Sequence, residues 1–508
     1  MKIVTAAEMR QIDRATTERF GVPSLTLMEN AGSAVARFAL RQYPGAKRIT
    51  IVCGKGNNGG DGFVAGRKLH EAGRDVSIVL LASPEEVKGD AREMLRRLPL
   101  SPVFSTSVHE LDKVAGLFRH SDLILDAIFG TGFRPPLPEL AGRAIQLIAE
   151  SPAPVLSVDL PSGADADSFA VDQPAACRSD AVVTFTALKP GIVFSTITRG
   201  PIVVAGIGSP PGAITSELGL EWNSPPEILR EKRRLNSHKG LYGHTLIVGG
   251  SIGKSGAPTM ASMAALRIGA GLVTCAVPKS ILPIVAGSIP ELMTEPLDEN
   301  AVGIARHAFN EGEVRSLLSR KNVAAIGPGI GRDPDTVQAV HEFIERCNVP
   351  VIIDADGLNA FRGELSRLDR AGRPLVLTPH PGEMAYMLCK TVTEVEADRV
   401  EIARWLATKA NLILVLKGWR TLIAAPDGNV WVNTTGNPGL AKGGSGDVLT
   451  GMIAGLVAQY PKPIVEAVRG AVYLHGLAAD LAVERETERA MLATDVIASL
   501  ASAFRKLG

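Results

Sequence analysis

The chain has 508 residues, long enough for two or more domains, and an ordinary soluble composition of 45% hydrophobic and 21% charged residues. A net charge of +1 gives no electrostatic ground for nucleic acid or an acidic membrane as partner. The 5 cysteines are odd in number, far apart and never in C-x-x-C, which argues against a disulfide scaffold and against structural zinc.

The start, MKIVTAAEMRQID, carries charges where a signal peptide needs an apolar core. No apolar run is long enough to span a bilayer, so the expected setting is cytoplasmic. Thr5 and Glu8 make a capping box, and the helix they open ends before Gly21. GVPSLTLMENAG at 21–32 leads into a second helix over 31–40. Residues 49–53 read as a buried strand, GKGNNGGDG at 54–62 as a loop, 63–72 as a helix and 76–81 as the next strand. Further strands are expected at 123–126, 155–159, 181–185 and 202–204. This alternation predicts a Rossmann-like, doubly wound α/β sheet.

Ligands of such sheets bind beyond the carboxyl ends of the strands. Three polar clusters follow strands there: NNGGD at 57–61, Asp126 with GTGFRPP at 130–136, and DLPSG at 159–163. Their Asn and Asp side chains suit a cation that prefers hard oxygen ligands. Gly54, Gly56 and Gly59 have G-x-G-x-x-G spacing, but the loop is not read as a dinucleotide fingerprint, because that spacing alone is a weak signal.

GVPSLTLMENAG, GKGNNGGDG, DAIFGTG and DLPSG together resemble the NAD(P)H-hydrate epimerase family over most of residues 1–215. Ser168-Phe169 stands where that family tends to carry a glycine. The resemblance implies potassium on Asn58, Asp126 and Ser162. It also implies substrate contacts from Asn57, Asn58, Gly59, Gly60 and Asp61, from Gly130, Thr131, Gly132, Phe133, Arg134, Pro135 and Pro136, and from Asp159. Asp159 is the candidate acid/base of epimerisation.

A Gly- and Pro-rich stretch at 206–212 and NSPP at 223–226 read as a linker, dividing the chain into domains 1–223 and 224–508. A strand at 245–248 is followed by GGSIGKSGA, which lacks the first glycine of a P-loop because Val248 stands there. In the helix over 258–269, Ala261, Ala264, Ala265 and Ile268 are expected to pack closely on a sheet. Strands follow at 272–277, 323–326, 351–354, 375–378, 412–417 and 430–434. Between them lie GPGIG at 327–331, DADGLN at 354–359, TPHPGE at 378–383 and KGWRT at 417–421. DADG opens like a calcium loop, but the remaining ligand spacing is absent.

NPGLAKGGSGDVLTG at 437–451 is the stretch richest in chemistry. A glycine loop running into a helix start offers unpaired N–H groups at the positive end of the helix dipole. Asp447 falls in the first turn, so an anion hole stands beside a carboxylate base.

These second-half motifs resemble the ADP- or ATP-dependent NAD(P)H-hydrate dehydratase family, on a ribokinase-like α/β fold, over about residues 227–505. The resemblance implies that Lys417, Gly418, Trp419, Arg420, Thr421 and Gly446 hold the nucleotide, with Mg²⁺ bridging its phosphates. Ala257, Gly329, His380 and Asp447 would contact the hydrate, Asp447 as general base. Phosphorylation turns a poor leaving group, hydroxide, into phosphate, and elimination then restores the ring. The whole chain thus resembles the bifunctional NAD(P)H-hydrate repair enzyme family, acting on hydrated NADH or NADPH, with a homo-oligomer expected. The alternative is a vitamin-type small-molecule kinase fused to a non-catalytic binding domain.

Overall fold

The computed structural model describes residues 1–198, 200–368 and 372–508. The chain falls into two compact units, Met1–Leu220 and Glu221–Gly508.

The first unit is built on a 7-stranded sheet. Its spatial order is Val103–Phe104, Asp75–Leu80, Arg48–Cys53, Leu123–Ala127, Val155–Val158, Ala181–Phe185 and Ile202–Ala205, every pair parallel. The central strands are buried throughout their length, as β-branched runs covered on both faces should be. The order reverses between Arg48–Cys53 and Leu123–Ala127, which opens a crevice at their carboxyl ends.

Two expectations change here. The glycine loop is largely helix: Asn57–Glu71 is one helix, with NNGGD as its start. A Cβ on Gly59 would lie 1.8 Å from the Gly54 carbonyl oxygen. Close packing against the sheet therefore outweighs the poor helix propensity of glycine, about 1 kcal/mol per residue. The second helix begins at Ser24, not residue 31, and runs as Ser24–Gln42 after Pro23. Pro23 has no N–H to satisfy, so it ends the preceding loop without cost.

The second unit holds a 10-stranded sheet. From one edge, Met293–Leu297, Leu272–Pro278, His244–Val248, Val323–Ile326, Val351–Ile353, Leu375–Leu377 and Ile413–Leu416 are parallel. Leu422–Ala424 and Val430–Asn433 then add as antiparallel hairpin strands, and Leu220–Asn223 completes the far edge. Part of the stretch read as linker is therefore a sheet strand. Its Asn223 side chain donates to the Asn433 side chain at 3.1 Å. Besides 220–223, three strands went unread, at 103–104, 293–297 and 422–424, because each is short, edge-placed or directly follows a loop.

The small residues of Gly256–Arg267 do not primarily meet the sheet. They receive the helix Ser445–Gln459: a Cβ on Gly451 would lie 1.9 Å from the Ala261 carbonyl oxygen, and one on Gly455 would lie 2.9 Å from that of Ala265. Backbone meets backbone, which only glycine against alanine permits.

Candidate active sites

The crevice of the first unit is a cleft of about 870 Å³. Asn57, Asn58, Asp61, Gly130, Thr131, Gly132, Phe133, Arg134, Pro136 and Asp159 line it, as expected. Gly59, Gly60 and Pro135 do not: Gly59 faces the Gly54 carbonyl and Gly60 the Met28 sulfur. Asn58 and Asp159 converge on the Gly130 loop, since a Cβ on Gly130 would lie 3.2 Å from Asn58 Oδ1 and from Asp159 Oδ2.

Asp159 follows the strand Val155–Val158 with φ +64, an uncommon conformation for a non-glycine residue and one that re-aims its side chain. Its Oδ1 accepts from Lys189 Nζ at 2.6 Å and from Thr184 Oγ1 at 2.9 Å. Lys189 is 1% exposed, and also donates to Thr184 Oγ1 at 2.8 Å. Sequence reading missed this lysine, whose signal was only its place four residues after a strand. It missed Asp13 too, which reaches the cleft from the helix Ala6–Glu18. Burial pushes the Asp13 carboxyl up to about 6, with Lys189 opposing and Asp159 adding to the shift. Asp61 is driven well above the usual carboxylate range by burial, then by Asp159 and Asp13.

Asp126 lies fully buried beneath the cleft. Its carboxylate accepts from Ser162 Oγ at 2.5 Å, Ser162 N at 2.7 Å and Ser157 Oγ at 3.3 Å. Burial nonetheless raises its pKa. Asp126 and Ser162 are thus brought together, and Asn58 lies at the start of its helix, beside the Gly130 loop, with Nδ2 buried and unpartnered. An all-oxygen set with one buried carboxylate suits a large, weakly hydrated monovalent cation, which would relieve the uncompensated charge.

The second unit has a cleft of about 700 Å³. Lys417, Gly418, Trp419, Arg420, Thr421, Gly446, His380 and Asp447 all line it. Ala257 and Gly329 lie outside this lining but close to each other: a Cβ on Gly329 would lie 3.2 Å from Ala257 Cβ. Asp356, which accepts from Lys254 Nζ at 3.1 Å and Arg332 Nε at 2.8 Å, connects the two regions, for its charge acts on Asp447.

The helix Ser445–Gln459 starts at Gly444, whose φ of +93 aims the glycine loop. No side chain caps this start; Ser445 N turns back to the Lys442 carbonyl at 3.4 Å, and the next N–H, of Gly446, is the one available to an anion. Asp447 is the third residue of the helix. Burial, then Asp354, push its carboxyl up to about 6, close to a useful general base at neutral pH. Beside it, Lys417 Nζ would lie 3.3 Å from a Cβ on Gly446. Burial works against the Lys417 charge, but Asp354 and Glu383 outweigh it and raise its pKa.

His380 caps the helix Pro381–Leu388: its Nδ1 accepts from Gly382 N at 3.0 Å and Glu383 N at 3.2 Å. Nε2 is therefore the nitrogen left to face a ligand or Glu383 Oε1, 3.4 Å away. His475, which sequence reading passed over, lines the same cleft with Nε2 buried and unpartnered, and burial holds its pKa down to about 4.

Residues 245–502 match the family model described as NAD(P)H-hydrate dehydratase, and residues 24–191 match that of the YjeF-related protein N-terminus. A bifunctional NAD(P)H-hydrate repair enzyme of Moorella thermoacetica is 43% identical over 100% of this chain and 97% of its own length. This chain belongs to the bifunctional NAD(P)H-hydrate repair enzyme family. Another member, from Escherichia coli K12, is 33% identical over 97% of this chain and 92% of its own. Among solved structures, an ADP/ATP-dependent NAD(P)H-hydrate dehydratase from Bacillus subtilis, co-crystallised with ATP/Mg²⁺, is 31% identical. It covers 57% of this chain and 100% of its own, with a TM-score of 0.47. A ribokinase-like superfamily protein from Enterococcus faecalis V583 is 28% identical, covering 58% of this chain and 98% of its own with a TM-score of 0.48. The two family matches fall in the two structural units; the second cleft lies within its match, whereas Asp13 and Ile207 of the first cleft lie outside theirs.

Proposed function

We infer that this chain repairs hydrated NADH and NADPH in two steps. The first unit interconverts the R and S epimers of the hydrate, and the second dehydrates the S epimer with ADP or ATP as phosphoryl donor. One observation carries the second step: a carboxyl with a pKa of about 6, Asp447, stands in the first turn of an uncapped helix beside the Lys417 ammonium. Phosphoryl transfer to a hydroxyl needs these three parts and little covalent chemistry from the protein.

In this reading Asp447 takes the substrate hydroxyl proton. The N–H group of Gly446 stabilises charge on the transferred phosphoryl. Lys417, oriented by Asp354, holds the phosphates, and Trp419, Arg420 and Thr421 hold the rest of the nucleotide. Among the described residues no cluster of three or more His, Cys, Asp or Glu side chains forms a metal cage. That suits Mg²⁺ carried in on phosphate oxygens, where it neutralises charge on the transferred group. His380 Nε2, with Ala257 and Gly329 at the adjoining edge, contacts the hydrate.

In the first unit, Asn58, Asp126 and Ser162 would hold K⁺, which would supply positive charge toward the substrate's phosphates. We place the enzyme in the cytoplasm, as a homo-oligomer. Its 5 free cysteines are in keeping with a reducing setting.

The test supplies hydrated NADPH as a mixture of epimers, a nucleotide and Mg²⁺. Dihydronicotinamide absorbance and free phosphate should rise together until both epimers are consumed. A stable phosphorylated product would identify a plain kinase instead. Consumption of the S epimer alone would remove the epimerase role.

A further inference from the structure

Dihydronicotinamide is an enamine, so added water leaves its oxygen on the ring carbon beside nitrogen. Inverting such a carbinolamine by loss and return of water needs an acid for the departing hydroxyl and a base for the incoming water. The cleft of the first unit presents carboxyl groups in two different states.

Asp159 is engaged by a buried ammonium, Lys189 Nζ at 2.6 Å. Asp13 is not: its Oδ1 is buried and has no hydrogen-bond partner. The two come from separate walls, the helix Ala6–Glu18 and the end of the strand Val155–Val158, and both line the cavity. A buried carboxyl oxygen without a partner, in a residue that lines a cleft, is costly unless a ligand or its own proton satisfies it.

We propose that Asp13 is the general acid of epimerisation and the Lys189-paired Asp159 its base. Asp13 gives its proton to the hydroxyl, the C–O bond breaks, and the ring-nitrogen lone pair forms the C=N bond as water leaves. A water on the opposite face then attacks that carbon, the C=N pair returns to nitrogen, and Asp159 takes the released proton. Water in the cleft returns the proton to Asp13, so atoms and electrons balance with no further reactant. Lys189 acts through Asp159 and is a positioning residue.

The charged groups acting on Asp13 are Lys189 and Asp159, and Asp61 faces it from the helix Asn57–Glu71. Arg10 and Arg14 of its own helix also line the cleft. The Asp13 carboxyl, pushed up to about 6 by burial, keeps a protonated fraction at neutral pH that an ordinary aspartate would not.

This inference rests on the epimerase reading above, and the experiment separates the two. The full-length protein is given one resolved epimer of hydrated NADPH in ¹⁸O-water, against a protein-free control. Inversion should carry one solvent oxygen into the hydrate per event. Epimer exchange should decline as pH rises past about 6, the Asp13 value. Asp13→Asn should slow exchange by ~10²–10⁴ and abolish that decline, with Asp13→Glu restoring part of both. The melting transition of the first unit, read by calorimetry on the full-length protein, reports that each variant is folded. Inversion without oxygen uptake overturns this inference alone, as does a folded Asp13→Asn protein exchanging at the unmodified rate. Absence of any exchange by the unmodified protein overturns the epimerase reading and this inference with it.

Discussion

Lys417 Nζ stands 2.9 Å from Asp354 Oδ1, and the carboxylate it meets is 1% exposed. Asp354 is held in turn by Thr378 Oγ1 on the same oxygen and Thr450 Oγ1 on the other, each at 2.7 Å. Thr450 belongs to the helix that carries Asp447, so one buried carboxylate ties the lysine to the Asp447 helix. Lys417→Met leaves Asp354 and Glu383 without their cation, and breaking a buried pair in this way costs about 3–5 kcal/mol. The expected outcome is a lower melting temperature and nucleotide binding weakened at least tenfold, read by calorimetry and titration. Asp354→Asn, which keeps the hydroxyl contacts, should be milder in both.

Asp447→Asn should lower dehydration by ~10²–10⁴ with little change in nucleotide affinity. In the unmodified enzyme, dehydration should fall with decreasing pH through about 6, because the base must be ionised. The stability effect has the opposite sign to that of a salt-bridged aspartate. The folded pKa is raised, so ionisation destabilises the fold, and that penalty is present above about 6 and absent below the unfolded value of 3.8. Asp447→Asn should therefore unfold at higher temperature than the unmodified protein at pH 8, and no higher at pH 3.5. Dehydration within a few-fold of the unmodified rate would remove Asp447 as the base.

Gly451→Ala sets two effects against each other. Alanine is favoured over glycine in a helix by about 1 kcal/mol. The new Cβ, however, would lie 1.9 Å from a backbone oxygen of Ala261, which no rotamer change can relieve. Overpacking of that kind costs about 1–3 kcal/mol or more, so the contact should win and the melting temperature fall. A surface control, Gly443→Ala, meets nothing within 4 Å and should leave stability nearly unchanged.

Asp126→Ala should reduce epimerisation and abolish its dependence on potassium. Equal rates in potassium, sodium and choline buffers with the unmodified protein would remove the cation from the mechanism.

Residues 1–220 and 221–508 should each express as a folded protein carrying one activity, because each unit has its own sheet and core. Aggregation of both fragments, with the full chain soluble, would count against this.

The sheets were readable because buried parallel strands are unbroken β-branched runs; 181–185 and 323–326 fall where expected. The helix start at Asn57 was not, because Asn-Asn-Gly-Gly is poor helix sequence and only packing against Gly54 rescues it. Asp447, Lys417 and His380 were found through turn chemistry beside strands. Asp13, Lys189 and His475 were not, since they sit within helices or beyond a loop and gain meaning only by meeting groups far away in the chain. Asp13 lies 146 residues from Asp159 in sequence, a separation no local pattern reports.

The interlocked helices of the second unit bear on how such an enzyme can change. Gly256–Arg267 begins beside Ala257, and Ser445–Gln459 begins beside Asp447. With glycine set against alanine backbone, the pair has one docking register, and a single methyl group added at Gly451 or Gly455 has nowhere to go. The gap between Ala257 and Asp447 is therefore fixed like the jaw of a wrench locked at one width. A new substrate of different girth has to be accommodated by the loops at 327–331 and 417–421, which can be redrawn without disturbing that seam. Diversification of this architecture toward other hydroxyl substrates is thus channelled into the loops, with the base and its anion hole inherited unchanged.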